Sequence, residues 1–166
     1  MGSYLLAILL GSFLMINSKI NSREIVFCPE FLEEIKCHFP LSGTLKQEPD
    51  GFTYVDLDDR YIHELIQHLP CEGFSKPPYF GPGLIGAHIT VIMPEEWTTF
   101  QKIEECGTEV SFSLKECEVV HPAREDISEI FLITIEAPFL GNLRAKYGLP
   151  PPLFDFHISL GYKPGV

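Results

Sequence analysis

Two short stretches constrain the fold of this chain of 166 residues more than anything else in it. Residues 154–160 read Phe-Asp-Phe-His-Ile-Ser-Leu, and residues 87–91 read Ala-His-Ile-Thr-Val. In both, apolar and polar residues alternate, which is the period of a half-buried strand, so each histidine shares a face with the hydroxyl residue two places on. Phe154, Phe156, Ile158 and Leu160 form one apolar side; Ile85, Ala87, Ile89, Val91 and Met93 form the other. Opposite them lie Asp155, His157 and Ser159 in one strand, and His88 and Thr90 in the other. The chain must therefore bury one face of each strand and leave a histidine face free for chemistry.

The segments around these strands supply a comparable context for each. Residues 52–57 read as a strand, followed by a helix over 58–69 with Asp58-Asp59 at its start and Tyr61, Ile62, Leu65, Ile66 and Leu69 at helical spacing. After the first histidine strand, Pro94-Glu95-Glu96 opens a helix over 94–106 that Gly107 ends. Residues 109–120 alternate as one long or two short strands, 128–136 as another, and 138–147 as a helix closed by Gly148. Residues 23–50 are weakly patterned, with a short helix over 29–36 and turn signals at Ser42-Gly43 and Pro49-Asp50-Gly51. The order predicts an α+β fold of two lobes related by pseudo-symmetry. Antiparallel sheets face a central groove, helices lie outside, and the two histidines face each other.

Residues 4–16 carry no charge and are followed by polar residues, the pattern of a secretory signal peptide or signal anchor over 1–22, with an amphipathic or buried helix as the alternative. No Lys or Arg precedes the run, and it is short of the ~20 residues a spanning helix needs. The remainder, 23–166, fits one domain. The expected location is secreted or membrane-anchored through that segment, with a cytoplasmic protein as the alternative. The five cysteines include no Cys-x-x-Cys; Cys28 and Cys37 are near enough in sequence to pair in an oxidising compartment, and free thiols are the other reading. A formal charge of -11 disfavours an electrostatic grip on long duplex nucleic acid. It suits a small or terminal phosphate substrate; the protein is expected to be a monomer.

Cleaving a phosphodiester needs a base for water, an acid for the departing oxygen and donors for the phosphate oxygens. Histidine, with an ordinary pKa of ~6.5, serves either proton role. His88 and His157 are thus the candidate catalytic pair, Thr90 and Ser159 the candidate phosphate donors, and Lys163, on the parity of His157, a third phosphate contact. Asp155 shares that polar face and is placed either to raise the pKa of His157 or to stand in solvent. The Pro- and Gly-rich stretch 76–83 leads straight into the His88 strand, where Tyr79 and Phe80 offer faces for base stacking or cover the core. His63 and His68 stand five apart on the expected helix and do not form a metal pair. Nothing in this chemistry calls for a metal or another cofactor.

The paired His-Ile-Thr-Val and His-Ile-Ser-Leu resemble the two signature motifs of the two-histidine (2H) phosphoesterase superfamily, which includes 2',5' RNA ligase-like proteins and cyclic phosphodiesterases. The resemblance covers roughly residues 52–163. It implies a metal-independent phosphodiesterase acting on a nucleotide or RNA end, with the two histidines as general acid and base. A 2',3'-cyclic nucleotide or an RNA 2',3'-cyclic phosphate end is the expected substrate. Hydrolysis or ligation of 2',5'-linked oligonucleotides or RNA 3' ends is the alternative. From other classes, the alternatives are a non-catalytic nucleotide or RNA-end binding module that keeps the groove and a secreted or membrane-tethered interaction domain in which the groove is filled.

Overall fold

A computed structural model describes residues 22–165. The apolar segment read as a leader over 1–22 lies outside the described residues, apart from Ser22, which opens the first strand. Among the described residues, no helix is long and apolar enough to cross a membrane.

The strands are β1 (Ser22–Val26), β2 (Ser42–Gln47), β3 (Thr53–Asp56), β4 (His88–Ile92), β5 (Glu109–Ser111), β6 (Ser113–His121), β7 (Ile127–Glu136) and β8 (His157–Pro164). The helices are α1 (Pro29–His38), α2 (Arg60–His63) and α3 (Pro138–Lys146). All eight strands join one antiparallel sheet in the order β1-β6-β7-β8-β4-β3-β2-β5. The two histidine strands are therefore the central neighbours, where the quartet β1-β6-β7-β8 meets the quartet β4-β3-β2-β5. This is an α+β architecture, with one continuous sheet in place of separate sheets meeting across a gap.

One face of the sheet is closed by the helices. Leu45, Val55, Ile89, Phe131, Ile133 and Ile158 are buried there, in one cluster with Phe31 and Ile35 of α1, Tyr61 and Ile62 of α2, and Leu140 and Leu143 of α3. The ring of Phe31 meets Phe131 edge-on at 6.2 Å. At ~25 cal/mol per Å² of apolar surface, this burial is what holds the histidine strands in place.

Local deviations from the expected elements have tertiary causes. The helix expected over 58–69 breaks into α2 and a 3-10 turn, Leu65–Gln67. That expected over 94–106 is reduced to the 3-10 turn Pro94–Glu96. There the backbone is held from outside: Gln47 Oε1 accepts from Ile103 N at 3.0 Å, and Tyr147 Oη from Glu104 N at 2.9 Å. Strand β2 carries one buried apolar residue, Leu45, and so gives no alternation to read. Its Gly43, expected in a turn, lies instead against β3, where a Cβ would stand 2.4 Å from the Asp56 carbonyl oxygen.

All five cysteines are free thiols. Cys28 is buried beside Cys117, while Cys37 is exposed near the end of α1, so the pairing considered for Cys28 and Cys37 is not made.

Candidate active site

The register between β4 and β8 sets Ile89 opposite Ile158, both fully buried in the core. Strand alternation then turns His88, Thr90, His157 and Ser159 to the opposite face, where all four are half-buried. Their cross-strand neighbours continue that face. Asp56 and Tyr54 of β3 stand opposite His88 and Thr90. Thr134 and Leu132 of β7 stand opposite His157 and Ser159. Thus the residues read from the two motifs share one surface at the centre of the sheet.

Both imidazoles are oriented in the same way. His88 Nδ1 lies 2.8 Å from the carbonyl oxygen of Gly86, and His157 Nδ1 lies 2.9 Å from that of Asp155, each two residues upstream. A carbonyl only accepts, so Nδ1–H donates and Nε2 is left unprotonated in the neutral ring. Burial lowers the pKa of His88, the bond to Gly86 offsets part of that, and the charge of His157 lowers it further. Burial also lowers His157; the bond to the Asp155 carbonyl opposes it, the nearby Arg23 charge adds to the lowering, and Glu118 and Asp155 act against it. A proton on one ring disfavours a proton on the other, which favours one acid and one base. The expected role of Asp155 is corrected in one respect. Its carboxylate pairs with Lys115 Nζ at 2.9 Å, its backbone carbonyl serves His157, and the net shift of His157 is downward.

Apart from Tyr79, the approach to His88 is built by residues that the sequence did not single out for the site. Asp59, expected at a helix start, accepts from Ala87 N at 2.9 Å. Gly86 has φ +77°, and a Cβ there would meet Asp59 Oδ1 at 2.2 Å, so only glycine fits without displacing the carbonyl that holds the imidazole. Aromatic rings wall His88: Tyr79 at 4.8 Å, Phe52 at 5.9 Å and Tyr54 at 6.0 Å. Tyr54, on the polar side of an alternating strand, was readable as a face residue. Asp59 was not, because its partner lies 28 residues away. Arg144, buried in α3, ties β4 to the turn that follows it and to the segment that precedes β8. Its Nη1 donates to the Val91 carbonyl at 2.7 Å, Nε to that of Pro150 at 3.0 Å, and Nη2 to Glu96 Oε1 at 2.6 Å.

Three sequence candidates are placed differently from the motif residues. Tyr79 lies at the site, but its ring packs edge-on against His88 and Tyr162 rather than standing free. Phe80 stacks on His63 at 6.4 Å, with Lys76 Nζ 5.1 Å from the centre of the Phe80 ring. Lys163 does not share the face of His157. The β7–β8 register shifts so that Leu132 faces Ser159 while Phe131 faces Gly161, a bulge at Leu160 that reverses the parity beyond it. Lys163 consequently bonds Glu129 Oε2 at 2.7 Å and lies over the ring of Phe74, and Tyr162 continues the histidine face instead. Among the described residues, no group of three or more His, Cys, Asp or Glu is arranged to hold a metal ion.

Comparison with curated proteins and with solved structures found no significant match. A family model described as Swiss Army Knife, 2H phosphoesterase domain, matches residues 53–165. That span holds both histidine strands and more than half of the chain, and the chain belongs to the 2H phosphoesterases, a family of phosphodiesterase type.

Proposed function

We propose that this protein hydrolyses a cyclic phosphodiester, a 2',3'-cyclic nucleotide or an RNA 2',3'-cyclic phosphate end, with His88 and His157 as the acid and base. The observation that carries the reading is the matched pair of imidazoles on adjacent central strands, each with Nδ1 donating to a carbonyl and Nε2 left for substrate. Water oxygen bonds to phosphorus as one Nε2 takes its proton. The bond from phosphorus to one ribose oxygen breaks, and the other, protonated imidazole supplies the proton to that oxygen. Thr90 and Ser159 donate to the phosphate oxygens, and no metal takes part. In this reading the two strand quartets act as related lobes, each contributing one histidine and one hydroxyl. The net charge of -11 supports a small nucleotide or RNA end over a long duplex.

The test is incubation with 2',3'-cyclic nucleotides and 2',5'-linked dinucleotides, followed by phosphorus NMR. Conversion of the cyclic substrates to monoesters is expected. Conversion of the dinucleotides alone would move the assignment to 2',5' linkages, and conversion of neither would overturn it. His88→Ala and His157→Ala separate an enzyme from a binding module, since a binder has no turnover to lose.

A further inference from the structure

Beside His157 the histidine face sinks into a cavity of about 170 Å³. Its walls are Val120, Ile130, Leu132 and Phe154, and Glu118 and Arg23 stand at its polar end. Apolar cavities of about 150 Å³ hold a benzene ring, so this one is the size for a planar ring system whose edge reaches the mouth. Glu118 is the unusual wall. It is 4% exposed, and its carboxylate reaches Arg23 only at 3.6 Å, beyond hydrogen-bond distance. A carboxylate with so little exposure, facing the cavity it lines, is best met by donors that enter that cavity. Its two oxygens accept only, and they suit two adjacent N–H donors in one plane.

We propose that this cavity is the nucleobase subsite of the phosphoesterase site and that Glu118 selects guanine. The proposal rests on the function proposed above. Of the four RNA bases, guanine alone presents two neighbouring donors, N1–H and the N2 amine, on its Watson–Crick edge. Adenine and cytosine offer one exocyclic amine, and uracil offers a single ring N–H. The Arg23 guanidinium, which also lies 5.1 Å over the Phe154 ring, is set to donate to the adjacent guanine oxygen. Phe154 is 42% exposed and closes the open side of the ring. With the base in this cavity, the ribose lies next to His157, which makes His157 the group nearest the departing ribose oxygen and His88 the base.

The test measures kcat/KM for the 2',3'-cyclic phosphates of guanosine, adenosine, cytidine and uridine with the wild-type protein and Glu118→Gln. The guanosine substrate is expected to exceed the uridine substrate by 10-fold or more, mainly through KM, and Glu118→Gln is expected to collapse that ratio toward unity. A wild-type ratio within 3-fold of unity, or an unchanged ratio in the variant, would overturn the proposal. If no cyclic nucleotide is turned over, the function reading fails, and the subsite is judged by binding of the nucleosides alone. Guanosine, and not uridine, should then shift the amide resonances of Ile130, Thr134 and His157 in the wild-type protein, and should not do so in Glu118→Gln. Equal shifts by both nucleosides, or by neither, would overturn the subsite as well.

Discussion

The flanks of His88 and His157 differ more than their motifs do. Each ring is fixed by a carbonyl two residues back, and each is pushed below its ordinary pKa chiefly by burial. Beyond that shared device the surroundings diverge. On the His88 side, a wall of Phe52, Tyr54 and Tyr79 gives way to an open trough of about 700 Å³ lined by Lys46, Glu48, Asp50 and Asp56. On the His157 side lies the small apolar cavity with the buried Glu118. The chemistry of the pair is nearly symmetric, while the means of holding a substrate are not. A polar, open flank suits delivery of the attacking water, and an apolar one suits a nucleobase.

The largest effect expected tests the symmetric part. His88→Ala and His157→Ala should each lower kcat by ~10³-fold or more, and the double variant should be little worse than either, because acid and base act in one step. Initial rates on a 2',3'-cyclic nucleotide check this. A variant that keeps a tenth of the wild-type rate removes its histidine from the pair.

Next is the support unique to one flank. Gly86→Ala forces a side chain onto Asp59 at a positive φ and shifts the carbonyl that holds His88. It should lower kcat by roughly 10²-fold, since misplacement of about 1 Å costs that much. The same change should destabilise the fold by about 1–3 kcal/mol, read by denaturant unfolding. Full activity in Gly86→Ala would mean that the carbonyl does not position the ring.

The pH profile is expected to shift by a smaller factor. Both pKa values lie below the ordinary ~6.5. Catalysis needs one ring protonated and one neutral, so kcat/KM should be bell-shaped with its maximum on the acid side of ~6.5. It should fall toward neutral pH, as the acid gives up its proton, and again at low pH, as the base gains one. A maximum above pH ~7 would contradict the burial of the pair.

The smallest effect belongs to Asp155. Its carboxylate is turned to Lys115, its backbone carbonyl holds the His157 ring, and its charge is the smallest of the influences on His157. Asp155→Asn should therefore change kcat/KM by less than ~3-fold, as an exposed ion pair contributes about 0–1 kcal/mol. A loss of 100-fold would show that its charge tunes His157 after all.

How much of this was open to reading follows from range. His88, Thr90, His157 and Ser159 were legible because strand alternation is a local property, and the structure leaves both alternations intact through the motifs. Lys163 was misplaced because a bulge at Leu160 depends on pairing with β7 and leaves no mark in the order of residues. The helix expected over 94–106 was overridden by contacts from Gln47 and Tyr147, distant in sequence. Glu118 stands on the polar side of an alternating strand, yet its burial comes from neighbours on β1, β7 and the segment before β8. The α+β class was readable from element order. The joining of both halves into one sheet was not, since a single register pair, Ile89 with Ile158, makes that link.

Catalysis by this pair requires one phosphate lying between two imidazoles that both present Nε2. Nitrogen-15 NMR of the histidine side chains, recorded as a nucleoside 3'-monophosphate is added, tests this most directly. In the free protein near pH 7 both Nδ1 atoms should be protonated and both Nε2 atoms bare. On titration the Nε2 signals of His88 and His157 should move together, with one common Kd. A response from only one of the two rings, or a bare Nδ1 on either, would contradict the shared site.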